Sequence, residues 1–330
     1  MKALYFPRKD EVVAGDLPDP VAGEGEVVIA VRASGICHTD IDVMRANYGP
    51  SAFPVVPGHE YAGEVIEVGP GVVGLSIGDR VVVDPNIECG TCRACKRGWA
   101  HLCEHLGAYG VTVNGGFSEK SVVRASAVHL IGEMSYAMAA LAEPMGCALN
   151  GFSPVADRLI DRALVIGAGP MGLLLGLALK VRGVAEVIMC DTDSARLDFA
   201  RSHGLEALLA GTKGMTELRH GCDFAADATG SAAVAATLVD CVASGGAALF
   251  FGVCQQSARI EISPFDIFRR QLTLLGTHSL NHNIPTALET LRAIGPRVEG
   301  LITHRLPLEE VAATMAGHKP AGSLKIQWEA

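Results

Sequence analysis

The sequence predicts an α/β chain built from a β-rich region and a doubly wound parallel sheet. Three observations predict it. Short strand-type runs separated by glycine and proline fill the chain up to about residue 150, among them Glu26 to Val31, Ala62 to Val68 and Arg80 to Val83. From Arg162 onward, apolar runs alternate with helical stretches: ALVIGAG, PMGLLLGLALKVRG, EVIMCD, SARLDFARSHG, CDFAADATG, AALFFGV. A glycine triplet falls at the first strand-to-helix turn of that alternation.

The β-rich region is expected over residues 1–150 and the parallel sheet over 151–278. A chain of 330 residues exceeds what one hydrophobic core usually organises, which agrees with two domains. After Leu275 come a polar loop, an amphipathic helix near Ile284 to Ile294, a strand-like run at Leu301 to Leu306 and a last β segment at Leu324 to Trp328. These pieces do not read as another β–α–β unit, so residues 279–330 are expected to return to the first domain.

Composition narrows the function classes. Apolar residues make up 49% of the chain and charged ones 19%, which describes an ordered globular protein. A net charge of -9 argues against a nucleic-acid partner, because phosphate-backbone binders gather a basic surplus on one face. The first residues lack the apolar core of a signal peptide, and no segment offers the ~18 charge-free apolar residues of a membrane span. A cytoplasmic protein without a membrane partner is expected.

The segment VIGAGPMG places Gly167, Gly169 and Gly172 in a G-x-G-x-x-G pattern, with Pro170 and Met171 opening the helix. The first glycine permits a tight turn, the second lets backbone approach a pyrophosphate, and the third allows close helix–strand packing. Glycine triplets also arise by chance in a glycine-rich chain. The context raises the case, because a second strand ends in Asp191 at about the 20-residue offset of a ribose-binding acid. Such a carboxylate selects NAD and repels a 2′-phosphate, while nearby Arg196 leaves NADP as the alternative. Thr229 in DATGS is a further candidate cofactor contact.

Four of the ten cysteines, Cys89, Cys92, Cys95 and Cys103, form C-x-x-C-x-x-C-x7-C. Four thiolates so close can wrap one tetrahedral zinc with no position left for substrate, a structural site. Most remaining cysteines sit in apolar surroundings, where a thiol acts as a small hydrophobe. Cys37 in GICHTD, His59 and Glu60 in GHEYAG, and Glu143 in AEPMGC are a second set of zinc-ligand types. Singly, each also has a structural reading as a buried thiol, a satisfied histidine or a solvated glutamate, and spacing does not prove that they converge.

The string GHEYAGEVIEVGPGV resembles the zinc signature of the medium-chain alcohol and polyol dehydrogenases. The Cys37 segment, the four-cysteine lobe, GAGPMG and DATGS at Asp227 to Ser231 resemble that family too, in the same order along nearly the whole chain. The resemblance implies a GroES-like catalytic domain, completed by the C-terminal tail, around an inserted Rossmann nucleotide domain. It also implies that Cys37 and His59 ligate a catalytic zinc, with Glu60 close by as an exchangeable or second-sphere ligand. Simple alcohol dehydrogenases of the family use cysteine as third ligand. AEPMG is instead similar to the polyol branch, which assigns the third position to Glu143, with Cys147 as competitor.

Zinc with one open position polarises a substrate hydroxyl and lowers its pKa, preparing hydride transfer to the nicotinamide. By resemblance, Thr39 takes the substrate proton. A histidine often follows three residues later, but Asp42 stands there in this chain. His38 is a candidate contact to the cofactor pyrophosphate or a solvated loop residue. Thr277, His278, Ser279, Asn281 and His282 are candidates to face substrate, although any solvent-facing loop is also polar.

The expected reaction oxidises a secondary hydroxyl of a polyol to a ketose with NAD, in a homo-oligomer, a tetramer before a dimer. The alternatives are the same chemistry on a simple secondary alcohol, butanediol, threonine or an aldose, and, more remotely, a non-catalytic nucleotide-binding protein. The latter predicts broken ligands or a lost relay hydroxyl, and Cys37, His59, Glu143 and Thr39 are all present.

Overall fold

The structure is a computed structural model and describes residues 1–47 and 52–330. It resolves into two bodies, one of Met1–Glu143 with Asn281–Ala330, the other of Pro144–Leu280.

In chain order the first body carries β1 (Lys2–Tyr5), β2 (Val13–Asp16), β3 (Glu26–Gly35), α1 (His38–Met44), β4 (Glu60–Val68) and β5 (Arg80–Val83). There follow β6 (Asn86–Ile87), β7 (Gly107–Ala108), β8 (Lys120–Arg124), β9 (Val128–Leu130) and α2 (Tyr136–Ala139). Helix α3 (Ala142–Phe152) begins in the first body and runs on into the second.

The second body contains β10 (Arg162–Ile166), α4 (Pro170–Val181), β11 (Glu186–Asp191), α5 (Ser194–Ser202), β12 (Glu206–Leu209) and α6 (Lys213–Glu217). It closes with β13 (Cys222–Asp227), α7 (Ala232–Cys241), β14 (Val242–Phe250), α8 (Pro264–Arg270) and β15 (Thr273–Gly276). The chain then returns to the first body with α9 (Ile284–Ile294), β16 (Ile302–Leu306), α10 (Leu308–Met315) and β17 (Lys325–Glu329).

The main sheet of the first body runs β16-β17-β3-β4-β5-β9, with β8 also paired to β3. Strand β3 is its organiser, because EVVIAVRASG alternates little and buries residues on both faces. Phe6, Ile29, Tyr61, Val81, Phe117 and Trp328 pack into one core around it. Across this sheet Gly35 pairs with Glu60 of β4 on one side and with Gln327 of β17 on the other.

Contrary to the sequence expectation, the C-terminal pieces do form a β–α–β unit, since β16 and β17 are parallel and α10 connects them. The unit was hidden in LEEVAATM, whose Leu308, Val311 and Met315 are buried at helical spacing. Burying each of these side chains contributes about 1.5–3 kcal/mol. Strand β17 then joins β3 antiparallel, carrying the end of the chain into the first body's sheet.

The second body is a six-stranded parallel sheet in the order β12-β11-β10-β13-β14-β15. Strand β10 lies in the middle, with β11 on one side and β13 on the other, so the order reverses there. Ligands of such sheets bind outside the carboxyl ends of the strands at this reversal. Among the described residues no helix is long and apolar enough to cross a membrane.

Candidate functional site

The glycine triplet stands at the carboxyl end of β10 and opens α4. Gly167 has φ +104°, a value that L side chains rarely adopt, and its N–H donates to the carbonyl of Cys190 at 2.7 Å. A Cβ on Gly172 would lie 1.8 Å from the Gly167 carbonyl oxygen, so the helix can pack this closely only on glycine. Around Gly169, the N-cap, a Cβ would meet nothing within 4 Å, and that open space fronts the N-terminus of α4. Pro170 occupies the first turn, where its missing N–H costs nothing, and Pro170 and Met171 are half-buried.

Asp191 ends β11 on the same side of the sheet. Its Oδ2 accepts from the Ala168 N–H at 2.6 Å and its Oδ1 from the Asp193 N–H at 2.9 Å. Arg196 approaches Asp191 at 3.8 Å and Asp193 at 3.5 Å, so its guanidinium is engaged with carboxylates. Thr229 donates through both N–H and Oγ1 to Asp227 Oδ1, at 2.8 and 2.5 Å. Asp227, only 1% exposed, thereby fixes the turn after β13 beside Gly167, where Thr229 packs. These residues fit a dinucleotide: a positive helix end, an open approach and a buried acid.

The cysteine lobe lies between β6 and β7. The sulfurs of Cys89, Cys92, Cys95 and Cys103 all lie within 4.8 Å of one another. Cys92 Sγ is 3.5 Å from that of Cys95 and 3.9 Å from that of Cys103. A tetrahedral zinc with bonds of about 2.3 Å needs sulfur–sulfur edges of about 3.8 Å, so the donor set fits. Backbone N–H groups of Cys92, Cys95 and His105 point at the sulfurs of Cys89, Cys92 and Cys103. The Thr91 hydroxyl, with the Thr91 and Cys92 N–H groups, pulls the Cys89 thiol down to about 6. Burial, aided by neighbouring thiols, pushes Cys95 up to about 12.

The second cluster joins Cys37, just before α1, with His59 and Glu60 at the start of β4; their donor atoms lie within 4.8 Å of one another. Gly58 makes this turn possible. Its φ is +95°, and a Cβ there would sit 2.7 Å from Phe117 and 2.9 Å from Ser34 Oγ. Asp40, fully buried, holds the cluster together: Oδ2 accepts from the Cys37 N–H at 2.8 Å, and Oδ1 from the Gly58 N–H at 3.1 Å. Asp40 Oδ1 also stands 3.4 Å from His59 Nδ1. Burial alone would lower the His59 pKa, but Asp40 and Cys37 hold it well above the usual histidine range. A half-buried thiol with a buried imidazole and carboxylate, which together favour a cation, is a donor set suited to zinc.

Glu143, 6% exposed near the start of α3, lies outside that group of three but acts electrostatically on Lys325, as Glu60 and Cys37 do. Cys147, one turn further along α3, is likewise outside it. Thr39 is half-buried in the first turn of α1, and His38 is exposed, 3.9 Å from Asp42.

The polar loop is ordered within each body. Asn150 Nδ2 donates to Thr277 Oγ1, His278 O and Ser279 O. Asn281 Nδ2 donates to Gly98 O of the cysteine lobe, and His282 stands 3.3 Å from Glu88 and 3.9 Å from buried Asp84. Asn281 and His282 therefore support the lobe. Sequence reasoning missed Asp40 and Lys325, and quoted Asp227 within DATGS without its role. Asp40 and Asp227 carried local signals, an acid three residues after Cys37 and an acid two residues before Thr229; Lys325 announces itself only through long-range contacts.

Residues 23–133 match the alcohol dehydrogenase GroES-like domain and residues 170–293 the zinc-binding dehydrogenase family. The chain is 50% identical to D-altritol 5-dehydrogenase of Agrobacterium fabrum, over 100% of both chains. It is 32% identical to D-arabinitol dehydrogenase 1 of Uromyces fabae, over 94% of this chain and 91% of that one. A zinc-binding dehydrogenase of Sinorhizobium meliloti, solved bound to NADP, superposes with TM-score 0.92 at 27% identity over 100% and 99% of the two chains. Membership of a zinc-binding dehydrogenase family, with structural neighbours solved with NADP and NADH, supports zinc and a nicotinamide dinucleotide as cofactors, and the dehydrogenase relatives imply a small-molecule substrate. The chain belongs to the zinc-binding, medium-chain alcohol dehydrogenases and is an oxidoreductase of that family.

Proposed function

We propose that this enzyme oxidises a secondary hydroxyl of a polyol or sugar alcohol to a ketose, with NAD as hydride acceptor. The observation that carries the reading is the Cys37, His59 and Glu60 cluster with Glu143 nearby, a cysteine–histidine–carboxylate donor set instead of one with two cysteines. The names of the 50% and 32% identical relatives, both dehydrogenases of polyols, support the same class.

Cys37 and His59 would hold the catalytic zinc with a single carboxylate as third donor, Glu60 from within the cluster or Glu143 from beside it, which leaves one position for substrate. When bound, zinc acts as a Lewis acid that lowers the pKa of the substrate hydroxyl. Thr39, half-buried at the start of α1, would relay the substrate proton, taking it at Oγ1 while passing its own hydroxyl proton on to the nicotinamide ribose. His38, exposed beside Asp42, is available to the cofactor's phosphates. Asp191 receives the ribose hydroxyls and disfavours a 2′-phosphate, which supports NAD although a structural neighbour was solved with NADP. The four-cysteine lobe holds a second, structural zinc.

We place the protein in the cytoplasm as a homo-oligomer, a tetramer. Phe265 and Phe268 on α8 are 67% and 78% exposed near the outermost strand β15, an apolar surface suited to a second copy. Light scattering that gives a monomer mass contradicts the assembly.

The test of function is NADH absorbance for zinc-loaded protein offered polyols, simple secondary alcohols, threonine and aldoses, each with NAD and NADP. Turnover confined to polyols with NAD is expected. Turnover of another class removes the polyol assignment, and none across the panel removes the catalytic reading.

A further inference from the structure

Lys325 reaches the zinc cluster from β17, near the opposite end of the chain. It is 5% exposed, a costly place for an ammonium unless anions surround it. Because Gln327 pairs with Gly35 and Gly35 with Glu60, strands β17, β3 and β4 lie side by side at this level. The lysine chain crosses β3 over Gly35. A Cβ on that glycine would sit 2.9 Å from Lys325 Cε and closer still to Glu60 Oε2, so the space is kept by the absence of a side chain. Beyond it, Nζ forms an ion pair with Glu60 Oε2 and donates to the Ile36 carbonyl at 2.9 Å, next to Cys37.

A carboxylate has two oxygens, and here one is committed to the ammonium. We infer that Lys325 is a positioning residue that keeps Glu60 from chelating zinc through both oxygens, so that one coordination position stays free for substrate. The inference rests on the zinc site proposed above. Removing the ammonium frees the second oxygen of Glu60, and the site is then closed by its own carboxylate.

The test uses full-length protein substituted with cobalt(II), whose visible spectrum responds when imidazole, a small neutral ligand, enters an open position. Wild type is expected to respond, and Lys325→Met to need at least a tenfold higher imidazole concentration while retaining its cobalt. Lys325→Arg, which restores the cation, should respond near the wild-type concentration. The double variant Lys325→Met with Glu60→Gln should also recover, because a neutral amide is a poor zinc donor. A Lys325→Met protein with wild-type imidazole affinity overturns the inference, as does one that loses cobalt, or a double variant as weak as the single one. A wild-type protein that binds cobalt but ignores imidazole overturns instead the open zinc site itself.

Discussion

Asp40 and His59, both buried, meet with Oδ1 3.4 Å from Nδ1, and the same carboxylate also receives the N–H groups of Cys37 and Gly58. One side chain thus orients the imidazole and fixes the backbone beside the thiol. Such supporting carboxylates typically contribute roughly 10–100-fold to metal affinity. Asp40→Asn should weaken zinc binding within that range, read by competition with a chromophoric chelator. Unchanged affinity would show that the contact is packing alone.

Asp191 offers a second, independent test. Asp191→Asn keeps an acceptor for the Ala168 N–H but removes the charge proposed to repel a 2′-phosphate. The ratio of kcat/KM with NADP to that with NAD should rise by about tenfold or more, equivalent to about 1.4 kcal/mol of relieved repulsion. A constant ratio would mean that Arg196, or another group, sets the preference.

The cysteine lobe should be separable from catalysis in its metal content. Cys95→Ser is expected to reduce zinc from two ions per chain to one and to lower Tm by several degrees, since metal binding there is folding free energy. Metal analysis with a thermal scan checks both, and two retained zinc ions would contradict the four-thiolate assignment.

Asp84 carries a pH dependence of defined sign. Burial, opposed by the Asn86 N–H and by His282, raises its pKa to about 6, above the ordinary value of 3.8. The folded state therefore holds the proton more tightly than the unfolded chain, and this contribution to stability is lost as pH rises through about 6. Asp84→Asn, which cannot ionise, should exceed wild type in stability at pH 8 by on the order of 2 kcal/mol, and the gain should vanish by pH 4. Equal differences in Tm at the two pH values would sink this reading.

Local features were the legible ones. The turn at Gly167 to Gly172, the alternation from β10 to β15 and the four-cysteine spacing each depend on residues close in the chain, where type and interval suffice. The second metal cluster depends on β3 and β4 being neighbours, and its outer residues on β17 joining β3 from the far end of the sequence. Lys325 looks in the sequence like any surface lysine in an edge segment; only the register over Gly35 turns it inward. The unit formed by β16, α10 and β17 was missed because the α10 face is a single short stripe, Leu308, Val311 and Met315. Glu143, favoured as third ligand by its place before Pro144, shares the neighbourhood of Lys325 with Glu60, which stands nearer the donors of Cys37 and His59.

Zinc-dependent oxidation of a polyol can be read in a single comparison. It is kcat/KM with NAD for D-altritol against 2-butanol, measured on the zinc-loaded protein, on the chelator-stripped protein and after zinc is restored. A strong preference for the polyol that disappears with the metal and returns with it is expected. Preference for 2-butanol, or polyol turnover that survives stripping of the metal, would contradict it.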